Sequence, residues 1–368
     1  MVGADKMKIL FACGGTAGHI NPALAIATQI RARMPDCRIL FVGADRVMEK
    51  TLIPRAGFHV VNIKMSGLRR DFSLSMIKHN IKAIINLISA DCKAANLISR
   101  YKPDIVVGTG GYICYPVLKK AAKKKISTII HESNATPGLT TKLLSSIVDK
   151  VLVSFPNKEK LYKKPKRVIF TGTPIHEGFR LAGEKKAESA TREKPLVVSF
   201  WGSLGAEKMN MVIAEVIKLN ADENIFDHIH AVGKKGNISG LKNLSKNTII
   251  KEYIEDMPKV MAEADLIICR GGGSTVAELI KLRKPAIIVP SPYVANNEQE
   301  QNAKQLEKAG GAIVLSEKHC SGEKLYKQIK LLLSEEEKLK KMSENLKSLL
   351  ANDSTNNVVD IILNRWNQ

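Results

Sequence analysis

Two doubly wound α/β halves, each built on a parallel sheet, are what this chain predicts. Three observations carry that reading. Short apolar runs alternate with helical stretches along most of the sequence, the pattern of repeated βαβ units. Glycine-rich loops stand at four handovers from strand to helix: Cys13-Gly14-Gly15-Thr16-Ala17-Gly18-His19, Gly108-Thr109-Gly110-Gly111-Tyr112, Gly202-Ser203-Leu204-Gly205-Ala206 and Gly271-Gly272-Gly273-Ser274-Thr275. Two precede Thr128 and two follow Pro195, and the length, 368 residues, suits two domains.

The elements follow in order. Lys8 to Ala12 is the first strand, and Asn21-Pro22 offers a cap and a first helical position for the helix Ala23 to Arg33. Strands are expected at Arg38 to Val42, Phe58 to Ile63, Asp104 to Val107, Ser127 to Ile130, Lys150 to Val153 and Arg167 to Thr171. Leu181 to Lys194 is charged, contains Gly183 and reads as a loop near the domain boundary. The alternation restarts at Leu196 to Phe200. It continues through His228 to Val232, Thr248 to Lys251, Leu266 to Cys269, Ala286 to Val289 and Ala312 to Leu315. Lys324 to Trp366 is mostly helical. The expected division is 1–173, 174–350 and a terminal helix, 351–368, packing back on the first domain.

Composition narrows the partners. Lys and Arg number 57 against 36 Asp and Glu, a formal charge of +21. Such a surface seeks anions: phosphorylated substrate, anionic lipid or nucleic acid. Aromatic residues are 5% and no nucleic-acid motif is present, which argues against the last. No apolar run nears the ~20 residues of a membrane span. The six cysteines lack C-x-x-C spacing and read as reduced cytosolic thiols. Leu68-Arg69-Arg70, Lys78, His79, Lys82, Lys93, Arg100 and Lys102, with Ile77, Ile81, Ile84, Ile85 and Ile88 at helical spacing, form a basic amphipathic segment. It is either a core-facing helix with a solvated face or a docking surface for anionic lipid.

The loops point to phosphate, because glycine lets backbone approach a ligand and a helix start presents N–H groups. None fits the P-loop spacing, and dinucleotide binding is weakly supported. In Arg270-Gly271-Gly272-Gly273-Ser274-Thr275-Val276-Ala277-Glu278 a cation, glycines and hydroxyls precede a helix that would hold a diphosphate. Glu278 could accept from ribose hydroxyls, or Thr275-x-x-Glu278 could be a capping box. The amide-rich run Asn297 to Asn302 could read sugar hydroxyls. His19 is a candidate general base. His131-Glu132-Ser133-Asn134 places a base, a carboxylate and an amide on one expected loop. Metal signatures and the G-x-S-x-G elbow are absent, so helix ends and Arg270 would offset any diphosphate charge.

These motifs, with Ile20-Asn21-Pro22 after the first loop and Ala135-Thr136-Pro137-Gly138-Leu139 after Asn134, resemble in order those of the MurG family of peptidoglycan N-acetylglucosaminyltransferases (glycosyltransferase family 28). The resemblance spans Lys8 to the C-terminal helix. It implies the GT-B fold, two Rossmann-like domains around a cleft. It implies inverting transfer of N-acetylglucosamine from UDP-N-acetylglucosamine to the 4-hydroxyl of the muramoyl sugar of lipid I, giving lipid II. Donor-binding positions map onto Thr16, Ala17, Gly18, Asn134, Ser203, Ile254, Gly273, Ser274, Thr275, Val276, Ala277, Glu278 and Gln299, beside Arg270. His19 is the first candidate base, with Glu132 and His131 as alternatives. No tightly bound cofactor is expected, and a divalent cation is left open as an aid. The expected location is peripheral, at the cytoplasmic face of the plasma membrane. The alternatives are another GT-B UDP-sugar enzyme, a glycolipid glycosyltransferase or a UDP-sugar epimerase, and a non-catalytic, basic membrane- or nucleic-acid-binding protein. Departures are His176 where the family often has arginine, Ala17 for a frequent glycine, and Cys13.

Overall fold

The structure, a computed structural model, describes residues 6–65, 74–184, 192–234, 236–237, 240–241 and 244–366, with backbone only over 74–84, at 295 and at 365–366. The chain forms two compact units. Unit 1 is Met1–His176 with Ala351–Gln368, and unit 2 is Glu177–Leu350.

Unit 1 runs β1 (Lys8–Cys13), α1 (Ala17–Arg33), β2 (Arg38–Ala44), α2 (Val47–Arg55), β3 (His59–Ile63), α3 (Leu74–Tyr101), β4 (Ile105–Gly110), α4 (Cys114–Lys123), β5 (Ser127–Glu132), α5 (Leu139–Leu144), β6 (Lys150–Val153) and β7 (Val168–Phe170). Its sheet has the order β3-β2-β1-β4-β5-β6-β7, every pair parallel. Strand alternation divides the core. Ile9, Phe11 and Cys13 face one side with Ile26, Ile30 and Phe41, whereas Leu10 and Ala12 face the other with Val106, Ile130 and Ala94. Both faces are buried, as a parallel sheet requires.

Unit 2 runs α6 (Glu177–Glu184), β8 (Leu196–Phe200), α7 (Glu207–Glu223), β9 (Asp227–Ala231), β10 (Thr248–Lys251), α8 (Met257–Glu263), β11 (Leu266–Cys269), α9 (Gly273–Leu282), β12 (Ala286–Ile288), α10 (Glu298–Ala309), β13 (Ala312–Val314), α11 (Gly322–Ser334) and α12 (Glu336–Asn345). Its parallel sheet has the order β10-β9-β8-β11-β12-β13. The last helix, α13 (Ser354–Trp366), returns to unit 1, where Val358, Val359 and Ile362 join Ile26 and Ile30 of α1 in the core. Gln29 and Arg33 reach Asn356, and Arg33 also pairs with Asp360.

The topology explains the glycine loops. In each sheet the strand order reverses between the first and fourth strands, β1 and β4 or β8 and β11. The four loops leave the carboxyl ends of those four strands, where open α/β sheets bind ligands.

Three expectations are corrected. The first helix starts at Ala17 rather than beyond Asn21, with Thr16 extended at its cap and Pro22 inside it. The left-handed turn at Gly15 (φ +94°) lets the helix begin straight after the loop. The second glycine run is partly strand, since Gly108 to Gly110 belong to β4. The charged stretch after Leu181 begins as helix, since α6 extends to Glu184. Arg180 there bridges Glu177 and Glu184, Phe179 is buried, and Gly183 admits the Lys281 carbonyl of α9, 3.1 Å from where a Cβ would stand. The remainder of that stretch, 185–191, and Leu68-Arg69-Arg70 lie outside the described residues.

Three histidines are fully buried. His131 donates from Nε2 to the Gly172 carbonyl, and Ser199 Oγ lies 2.8 Å from His228 Nε2 and 2.7 Å from His230 Nδ1. Loss of hydration pushes His131 and His230 down to about 4 and His228 to about 3. Unfolded, each titrates near 6.5. Between pH 6.5 and 4 the unfolded chain therefore binds more protons, so stability falls on acidification. Glu278 acts oppositely, because burial lifts its carboxyl up to about 8, but it is one group against two histidines in its unit. Thermal melts should show the highest Tm near pH 6.5 and a loss of ~2–3 °C by about pH 5.5. An unchanged Tm would mean that the histidines are not held neutral.

Candidate functional site

In unit 1 the two switch-point loops interlock. The Gly14 N–H donates to the Gly110 carbonyl at 3.3 Å, and a Cβ on Gly111 would stand 2.2 Å from the Gly14 carbonyl oxygen. Gly110 (φ +120°) leaves room for the His19 ring, whose Cδ2 would lie 2.4 Å from a Cβ there. Thr109 Oγ1 donates to the His19 carbonyl at 2.7 Å. His19 Nδ1 lies 3.0 Å from the Gly14 carbonyl and must donate to it, so the neutral ring carries its proton on Nδ1 and its lone pair on Nε2. Thr16 is exposed, Ala17 and Gly18 are half-buried, and all three open α1.

The expected loop at His131 is different. His131 and Glu132 are the last residues of β5, and both are buried. His131, held neutral against Gly172, ties the end of β5 to the segment that follows β7 rather than serving as a base. Glu132 Oε1 accepts from the Asn134 backbone and amide nitrogens, and Oε2 accepts from the Gly138 N–H. Both oxygens are spent on organising the loop, which sets Glu132 apart from His19 as a base. His176 is exposed at the end of unit 1.

In unit 2 each switch-point loop packs closely on a different neighbour. A Cβ on Gly205 (φ +77°) would meet the Val232 carbonyl at 2.0 Å, and Lys234 N–H donates to the Ser203 carbonyl at 3.1 Å. A Cβ on Gly271 would meet the Gln299 carbonyl at 2.2 Å, and Asn302 Nδ2 donates to the Gly271 carbonyl at 3.0 Å. Gln299 Oε1 accepts from the Ser291 N–H, so this side chain shapes its own loop. Around Gly202 and Gly272, by contrast, there is open space. Gly272 has an ordinary φ of −66°, so neither strain nor crowding demands a glycine there.

Helix α9 has Gly272 as N-cap, with no side chain capping it. The capping box, the alternative reading of Thr275 and Glu278, is therefore absent, because both lie inside the helix. Val276 N–H bonds to the Gly272 carbonyl, which leaves the N–H groups of Gly272 to Thr275 without helical acceptors. Ser274 Oγ is buried and unpartnered. Glu278 is half-buried, and desolvation alone shifts its carboxyl upward. Thr275 and Ala277 are half-buried, as is Ser203 in its loop. Val276 and Ile254 point into the core, so only their backbones can reach a ligand.

Arg270 corrects another expectation. Its guanidinium pairs with Glu317 at 2.7 Å, donates to the Val289 carbonyl at 2.9 Å and lies 5.4 Å over the Trp201 ring. The Glu317 contact is an ion pair whose angle falls short of a hydrogen bond. Both side chains are nearly inaccessible, so the arginine is already neutralised and braces the loop from beneath. Glu317 and Trp201 escaped sequence reasoning because each meets Arg270 across distant chain, and Asn302, expected in the sugar-reading run, holds the Gly271 carbonyl instead. Among the described residues no cluster of three or more His, Cys, Asp or Glu could hold a metal.

Glycine loops at the switch points of two parallel sheets, one set with an imidazole at the helix start and the other leading into an uncapped helix N-terminus, define a sugar-nucleotide enzyme of the GT-B class. The comparisons with known proteins specify the family. Residues 9–153 match the glycosyltransferase family 28 N-terminal domain, and residues 196–358 match the glycosyltransferase family 28 C-terminal domain. A relative from Acetivibrio thermocellus is 43% identical over 97% of both chains. One from Caldanaerobacter subterraneus is 41% identical over 97% of this chain and 99% of its own. Both are named UDP-N-acetylglucosamine--N-acetylmuramyl-(pentapeptide) pyrophosphoryl-undecaprenol N-acetylglucosamine transferase. The crystal structure of Acinetobacter baumannii MurG superposes with a TM-score of 0.77 at 25% identity, covering 97% of this chain and 99% of that one. The chain belongs to glycosyltransferase family 28.

Alanine substitutions should sort the glycines. Gly111→Ala and Gly205→Ala combine a positive φ with a backbone clash and should lower Tm, each costing at least ~1 kcal/mol, while Gly272→Ala should leave Tm unchanged. Arg270→Ala strands a buried carboxylate and should cost ~3–5 kcal/mol. A stable Arg270→Ala protein would return the arginine to the list of ligand contacts.

Proposed function

We propose that this protein transfers N-acetylglucosamine from UDP-N-acetylglucosamine to the 4-hydroxyl of the muramoyl sugar of lipid I, releasing UDP and forming lipid II for peptidoglycan synthesis. The observation that carries the donor assignment is the start of α9. Its unpaired N–H groups, the unpartnered Ser274 hydroxyl and the open space over Gly272 suit a diphosphate. Glu278 suits ribose hydroxyls, which would replace the hydration its carboxyl lacks. The full-length similarity to relatives named as this transferase favours the reading over an epimerase or another glycolipid transferase.

In the proposed reaction, His19 Nε2 takes the proton of the attacking hydroxyl. The new oxygen–carbon bond forms on the face opposite UDP as the bond to the leaving phosphate breaks, inverting the anomeric carbon. The charge released onto UDP is met by the α9 N–H groups, with Ser203 and Ser274 as further donors. Thr16, Ala17, Gly18 and Asn134 complete the proposed donor contacts. No tightly bound cofactor enters this scheme, and a divalent cation would only assist the diphosphate.

Among the described residues no helix is long and apolar enough to cross a membrane. We place the protein peripherally, at the cytoplasmic face of the plasma membrane, without a nucleic-acid partner. Ile85 and Ile88 on α3 are exposed, as are Leu139 and Leu143 on α5 and Lys123 and Lys124 at the end of α4, which supports contact with anionic lipid. The side chains of Lys78, His79 and Lys82 lie outside the described residues.

UDP release from UDP-N-acetylglucosamine should depend on a soluble lipid I analogue and yield a β-1,4-linked disaccharide. Donor binding without acceptor-dependent release would overturn the reaction. His19→Ala should lower kcat by about 10²–10⁴-fold at nearly unchanged donor affinity. Glu278→Ala should weaken UDP binding without lowering Tm, and calorimetric titration of UDP separates this from a purely structural role.

A further inference from the structure

We propose that Glu49 is a positioning residue that acts on His19 through the Gly14–Gly15 peptide, fixing which imidazole nitrogen is free to take a proton. This role rests on the reading of His19 as the base. Glu49 lies on α2, wholly buried and with no cation paired to it among the described residues. Its Oε1 accepts from the Gly15 N–H at 2.7 Å. The carbonyl of that same peptide group, Gly14 C=O, accepts from His19 Nδ1 at 3.0 Å. A carboxylate on the N–H side of an amide makes its carbonyl a stronger acceptor, so the two hydrogen bonds reinforce each other. The strengthened carbonyl holds the proton on Nδ1 and leaves the lone pair on Nε2.

Two glycines make way for this carboxylate. A Cβ on Gly14 would stand 2.6 Å from Glu49 Oε1, and one on Gly43 2.9 Å from Glu49 Cγ. Neither residue has a positive φ, so size and not backbone conformation calls for glycine at both. Loop packing alone does not account for the charge. Glu49 Oε2 and Asn62 Oδ1 are both buried without partners, and both residues pack against Gly43. A glutamine would still accept from Gly15 and would bring a donor to the side where Asn62 lacks one. The fold by itself would be served at least as well by the neutral amide.

Glu49→Gln therefore separates the two accounts. The variant should fold with a wild-type Tm, show kcat lowered about tenfold, and keep KM for UDP-N-acetylglucosamine within about twofold. Nitrogen-15 NMR of the neutral His19 ring should show the Nδ1–H tautomer of the wild type giving way to a mixture. A folded E49Q with unchanged kcat and tautomer overturns the role, even while His19→Ala remains inactive. An active His19→Ala would instead remove the base assignment, which distinguishes failure of the underlying reading. Should E49Q not fold, Glu49→Asp, whose shorter side chain withdraws the carboxylate from the Gly15 N–H, decides by the same readouts: lowered kcat with a mixed tautomer supports the role, and unchanged kcat and tautomer overturn it.

Discussion

Backbone meeting backbone at the carboxyl ends of the central strands is the constraint on which the rest of this structure depends. The Gly14 carbonyl presses on Gly111, the Val232 carbonyl on Gly205 and the Gln299 carbonyl on Gly271, each closer than any side chain would permit. These contacts set where α1 and α9 begin, and so where their free N–H groups point. They also hold His19 over Gly110. Glycine is needed here for what it lacks, and the apolar strands on either side keep the loops from relaxing apart.

The protein carries a formal charge of +21, yet the positions best suited to hold an anion use almost no formal charge. Arg270, the cation nearest the α9 loop in sequence, is neutralised by Glu317. What remains at the start of α9 are oriented dipoles and a hydroxyl. Fixed dipoles need no reorganisation as charge develops on a leaving group, and they do not bind every passing anion as strongly as an exposed arginine would. The basic surplus lies elsewhere, on surfaces such as the end of α4.

The strands were legible because each is an apolar run closed by glycine, proline or a polar turn, and a sheet buried on both faces needs little more than that. The glycine loops were legible as a set, since only a shared edge explains four of them. Local competition blurred the rest. Asn21-Pro22 has the chemistry of a helix start, but Gly15 turns the chain earlier. Gly183 has the look of a loop, but it serves close approach to α9. Arg270 could be recognised as special from its place before three glycines, while Glu317, which decides its role, carries no local signature. Glu49 and His19 share a peptide group that only the folded loop brings between them.

The return of α13 to α1 makes unit 2 an insertion within unit 1. A ribosome must therefore emit all of unit 2 before the apolar face of Ile26 and Ile30 can be covered by Val358, Val359 and Ile362. During synthesis the first sheet waits with that face bare, open to chaperones and to aggregation. A chain that stops before Ser354 would have its loops intact but this face exposed.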